Sequence, residues 1–130
     1  MITRGKITIY RGSFEHGYIM AALWTFDAAA PSGDYSESGR FGELFPLIAD
    51  ETLEKMGQDC VKFESMAGDN LADYPSEIAG HDFWLTRNRH GSGFWENDHG
   101  TEDQCKRLTE LSHSFGETDL YYGDDGKIYS

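Results

Sequence analysis

The chain is short of positive charge. Its 130 residues hold 11 Lys and Arg against 23 Asp and Glu, a formal net charge of −12. A protein that grips a polyanion needs the opposite balance, so direct nucleic-acid binding and adhesion to an anionic membrane are both disfavoured. No apolar run reaches membrane-spanning length, and no basic-then-apolar leader opens the chain. The expectation is a protein of a cytoplasm, with no membrane partner. Cysteine is scarce as well. Cys60 and Cys105 form no CxxC pair, which gives no support to a zinc ribbon or a dithiol redox site. Both fall on apolar faces and read as small buried hydrophobes.

The common catalytic signatures are also missing. There is no H-E-x-x-H, and Gly91-Ser92-Gly93 has neither the nucleophile-elbow pattern nor a P-loop lysine. No cofactor and no catalytic residue is indicated. His81, His90 and His99 lie within twenty residues of one another, but their spacing matches no zinc pattern. His81 and His99, joined by Asp82, remain an alternative: a metal-assisted or acid–base site.

What is present supports one compact domain over residues 1–130, since 38% of residues are hydrophobic. Residues 6–11 alternate as a half-buried strand does. Ser13 is placed to cap a helix carrying Ile19, Leu23 and Phe26, although Gly17 weakens that helix. Residues 27–44 are rich in Gly, Ser and Asp and read as a long flexible loop. Asp50 is placed to cap a second helix, whose stripe is Leu53, Met56, Cys60, Phe63 and Ala67, with Gly68 as its stop. Glu54, Asp59 and Glu64 lie off that stripe. A third helix starts at Thr101, which with Gln104 fits a capping box, and buries Cys105, Leu108, Leu111 and Phe115 before Gly116. Residues 119–129 signal a terminal hairpin around Gly-Asp-Asp-Gly.

The segment 82–97 alternates and is interrupted by Arg89-His90-Gly91, which predicts a β-hairpin. It would set Phe83, Trp84, Phe94 and Trp95 beside Arg87, Asn88 and Arg89. The fold class that follows is α+β: a small antiparallel sheet of hairpins with about three helices packed on it.

The stretch Gly80-His81-Asp82-Phe83-Trp84-Leu85-Thr86-Arg87-Asn88, then His90-Gly91 and Gly93-Phe94-Trp95, resembles the central motif of a family of small bacteriophage and prophage proteins. The tail Asp119-Leu120-Tyr121 and Gly123-Asp124-Asp125-Gly126-Lys127-Ile128-Tyr129 resembles that family's ending, and Ala21-Ala22-Leu23-Trp24 is similar too. Arg89 departs from the pattern, which has Gly there. The resemblance implies a phage gene expressed in a bacterial cell. It implies no catalytic residues.

Charge and context together set the functional expectation. Residues 27–81 carry twelve acids against Arg40, Lys55 and Lys62, so the middle of the chain holds most of the negative field. Such a field speeds encounter with a basic partner. The expected function is a small acidic phage accessory protein, acting in the host cytoplasm, that binds a host or phage protein with a basic surface. One version inhibits a nucleic-acid-binding defence complex by charge mimicry. The candidate binding residues are Trp84, Arg87, Arg89, His90 and Trp95, as aromatic and guanidinium anchors, and Glu54, Asp59 and Glu64. The alternatives are the His81/Asp82/His99 enzyme and a homo-oligomeric structural protein using the hairpin as its contact.

Overall fold

A computed structural model describes residues 1–27 and 39–130. The expected flexible loop at 27–44 falls largely outside them. Its described end, Arg40–Leu44, is a short helix, and Arg40 forms a bidentate ion pair with Asp27 through two bonds of 2.8 Å.

The described chain is mainly helical, which overturns the expected sheet with helices packed on it. Strands β1 (Ile2–Arg4) and β2 (Ile7–Ile9) pair antiparallel around Gly5, whose φ of +59° suits a two-residue turn. Then come α1 (Phe14–Phe26), α2 (Arg40–Leu44), α3 (Asp50–Ala67), α4 (Ser76–Arg87) and α5 (Glu102–Ser114). Strands β3 (Tyr121–Tyr122) and β4 (Ile128–Tyr129) close the chain as a second antiparallel hairpin. That hairpin docks on the lead into α3, where Ala49 N–H donates to the Ile128 carbonyl. The two sheets are separate, with two strands each.

The predicted 82–97 hairpin is the main error, and its cause is local. A window starting at Asp82 sees alternation. Starting at Pro75, it sees a helix: proline at the N-terminal boundary, Glu77 in the first turn, then Ala79, Phe83 and Thr86 buried at helical spacing. The residues taken for a hairpin turn are a Schellman cap. Arg89 N–H donates to the Thr86 carbonyl, and His90 N–H to the Leu85 carbonyl. Arg89 holds the left-handed position with φ +56°. The return strand is instead a 3-10 turn, Phe94–Glu96, joined to α4 by the Phe94 N–H to Thr86 Oγ1 bond of 3.0 Å.

Helix α4 lies directly against α1, and glycine permits the approach. A Cβ on Gly17 would sit 1.9 Å from the Glu77 carbonyl oxygen, and one on Gly80 1.8 Å from that of Phe14. Gly17 therefore has a packing role that outweighs its poor helix propensity. Beneath this crossing the core is aromatic. The Phe63 and Phe83 rings stack with centroids 4.0 Å apart, and Phe14, Tyr18, Phe94 and Phe115 surround them.

Two helices match their sequence patterns closely. Helix α3 buries Leu53, Met56, Cys60, Phe63 and Ala67, and ends at Gly68 with φ +51°. Ala49, not Asp50, takes its cap position; Asp50 opens the helix and binds Arg4 at 2.9 Å. Helix α5 has the Thr101–Gln104 capping box and buries Cys105, Leu108 and Leu111. Cys60 and Cys105 are both buried free thiols. Among the described residues, no helix is long and apolar enough to cross a membrane.

Candidate functional site

The eight candidate binding residues do not form one surface. Trp84 is buried, its Nε1–H donates to Thr25 Oγ1 at 2.8 Å, and Tyr18 packs edge-on against its ring. It fastens α4 to α1. Arg87 is only 4% exposed. Its Nε donates to the Gly116 carbonyl, Nη2 to the Phe115 carbonyl, and Nη1 to both the Tyr18 hydroxyl and Asp59 Oδ2, at 2.9–3.1 Å. The guanidinium lies against the rings of Phe83 and Phe115. A buried cation is tolerated here because it sits just past the negative end of α5, bonds the Phe115 and Gly116 carbonyls there and meets a carboxylate. Burial pushes the Tyr18 phenol well above its usual range, which keeps it a neutral hydroxyl. Trp84 and Arg87 are thus structural, and Asp59 is the partner of Arg87.

The other five are exposed. Arg89 and His90 sit on the α4 cap, with Arg89 3.8 Å from Glu117, and Trp95 is 51% exposed on the 3-10 turn. Glu54 and Glu64 lie on the outward side of α3.

The alternative histidine site is divided. His81 faces Glu77, and burial lowers its pKa. Asp82 faces Glu96, Asp98 and His99; burial, more than its acidic neighbours, pushes its carboxyl up to about 6, against the opposing pull of His99. The His99 ring packs on Tyr74, whose hydroxyl lies 3.4 Å from the Cys105 thiol. Asp82 and His99 are therefore electrostatic neighbours, while His90 belongs to the α4 cap. Among the described residues, no group of three or more His, Cys, Asp or Glu is arranged to hold a metal. Burial also holds the Cys60 thiol well above its ordinary pKa, the reverse of what a nucleophile needs.

A different feature gathers apolar and acidic groups on the surface. A groove of about 700 Å³ runs along α3, and all its lining residues except Ile7 and Glu15 come from that helix. Leu53 and Ile7 lie at its base, and Val61 and Met66 are 68% and 46% exposed. Gly57 leaves a notch in which the Glu15 carboxylate sits; a Cβ there would meet Glu15 Oε1 at 2.9 Å. Glu54 also lines the groove. Glu15 is raised above the usual glutamate range first by burial and then by the charge of Glu64, which is itself raised by burial. Among the described residues, neither carboxylate has an ion pair or hydrogen bond. The Lys62 ammonium, one turn from Gln58 on the same helix, lies over the Phe115 ring at 5.6 Å.

Sequence reasoning named Glu54 and Glu64 but not Glu15, Val61 or Met66. The available signal was two apolar residues, 61 and 66, lying off the buried stripe of a strongly patterned helix. No family model, curated protein or solved structure matches this chain.

Proposed function

We propose that this chain is an acidic accessory protein of a bacteriophage that binds a basic protein of the host or phage in the host cytoplasm and performs no reaction. One observation carries the reading: three of the six arginines are tied into bonds within the chain, while a set of carboxylates faces out unpaired. Arg87 is inside the core, Arg40 holds Asp27 and Glu43, and Arg4 holds Asp50 and the Phe45 carbonyl. Glu51, Glu54, Glu64, Glu102, Asp103 and Glu110 are exposed, with no ion pair among the described residues. In a chain of net charge −12, these unpaired carboxylates give the described surface an acidic excess. Such a surface attracts and orients a cationic partner. A basic channel that normally holds nucleic acid has the matching charge, which supports inhibition of a defence complex by mimicry.

The test is affinity capture from host extract with the full chain as bait. A basic nucleic-acid-binding protein should be retained at low salt, released as salt rises, and displaced by added DNA. Retention of no basic protein, or retention that neither salt nor DNA weakens, overturns the reading.

A further inference from the structure

We propose that the groove along α3 seats a basic amphipathic helix of the partner protein. This assignment rests on the accessory-binding reading and gives it a location and a ligand chemistry. The geometry fits a helix. The lining runs from Leu53 to Met66 along one helix side, a length of about 20 Å, or between three and four turns of a docked helix. Laying an apolar stripe into such a groove is a common mode of peptide recognition. Val61 and Met66 offer apolar contact at the surface, and methionine adapts readily to the shape of an incoming side chain.

The charge selects the occupant. Glu15 and Glu54 line the groove against one lining cation, Lys62; Glu15 is partly desolvated and repelled by Glu64 of α3, and among the described residues Glu15, Glu54 and Glu64 have no ion pair. A lysine or arginine of the occupant seated beside Glu15 relieves that penalty and pairs a carboxylate that has no ion pair among the described residues. A second copy of this chain would bring another −12 and a second pair of the same carboxylates, so charge opposes self-association through this face. Hydrophobic residues at helical spacing, flanked by Lys or Arg, meet both demands.

The test uses the full chain, isotope-labelled, and a synthetic helical peptide of about 16 residues with leucines on one face and lysines elsewhere. Two control peptides accompany it: one with the same composition scrambled to abolish the apolar face, and one with each lysine replaced by glutamate. The basic amphipathic peptide should bind and shift the amides of Gly57, Val61 and Ser65, with both controls weaker by about tenfold or more. Val61→Asp, at an exposed position, should weaken binding by about tenfold with an unchanged melting temperature. The double variant Glu15→Gln, Glu64→Gln should weaken it about threefold and flatten its salt dependence. Equal binding of the scrambled peptide overturns the proposal, as do shifts confined to other faces. A chain dimer dissolved by Val61→Asp also overturns it, because the occupant is then a second copy. The same Val61→Asp chain used as bait in host extract separates this proposal from its premise. If it retains the wild-type partner undiminished, the groove assignment falls and the accessory reading stands. If the wild-type chain retains no basic protein, the accessory reading falls whatever the peptide does.

Discussion

At Arg87 a buried guanidinium meets Asp59, the Tyr18 hydroxyl and the Phe115 and Gly116 carbonyls just past α5, whereas along the outer side of α3 Glu15 is repelled by Glu64 and neither has an ion pair among the described residues. The two regions use charge in opposite ways. In the first, a long side chain is held by four acceptors and two rings, and the α1–α4 crossing beside it is tight enough to need glycine. In the second, apolar side chains are left in solvent and carboxylates keep an electrostatic penalty. Satisfied polar atoms belong to folding. Unsatisfied ones on an open groove are where a partner gains most, because its first contact removes a cost the free protein already bears.

The interior half of this comparison is broken most severely at the helix crossing. Gly80→Ala sets a methyl group 1.8 Å from a backbone carbonyl, which no side-chain rotation relieves. The helices must separate, and the expected loss is about 3 kcal/mol or more in denaturant unfolding. A wild-type midpoint would show that α1 and α4 do not cross at these glycines. Arg87→Met should follow closely, losing about 3 kcal/mol, because the Phe115 and Gly116 carbonyls lose their donor and Asp59 loses its partner. Arg87→Lys should recover only part of that, since a single ammonium cannot span the same fork of acceptors. Full recovery by lysine would mean that charge alone matters at this site. Asp59→Asn should cost less than Arg87→Met, because the Asp59 side chain is 25% exposed and water can replace its partner.

The sequence was most legible where one helix carried its own signals from cap to stop. Helices α3 and α5 have long stripes with a defined stop, and α5 has a capping box, so local reading placed both. Helix α4 was misread because its evidence is split. Its start signal precedes the aromatic motif, and its stop lacks the glycine that usually marks a Schellman cap. Gly91, two residues later, drew attention to a hairpin instead. The Arg87–Asp59 pair spans 28 residues and the Arg87–Gly116 bond 29, so no local periodicity could have joined them. The groove was half legible: Glu54 follows from helical spacing on α3, but Glu15 arrives from α1 through tertiary packing.

Arg89 tests this account of α4 directly. It occupies the left-handed position that L-residues take at a cost and achiral glycine does not. Arg89→Gly should raise stability by about 1 kcal/mol, even though it removes the exposed contact with Glu117, which contributes little. If the segment were a hairpin with a different turn, the same change would bring no such gain. An increase in unfolding midpoint, with unchanged helical circular dichroism, is the expected result.

The smallest effect sharpens the other half of the comparison. Glu15 has its pKa raised in the folded chain above the ordinary 4.5, because burial and Glu64 both disfavour its charge. A carboxyl raised by folding binds its proton more tightly in the native state than in the unfolded one. Native stability is then greatest below 4.5 as far as this group is concerned, and it declines as pH rises through the folded pKa. Glu15→Gln removes that decline. The variant should therefore exceed wild type by about 0.5 kcal/mol near neutral pH, after allowance for solvent screening of a half-buried group. The advantage should vanish in acid, where the wild-type carboxyl is protonated. Urea midpoints measured for both chains across this range give the sign. A variant less stable than wild type at neutral pH would mean that Glu15 already has a favourable partner in the free protein, and the groove would then hold no unrelieved charge for an incoming cation to neutralise.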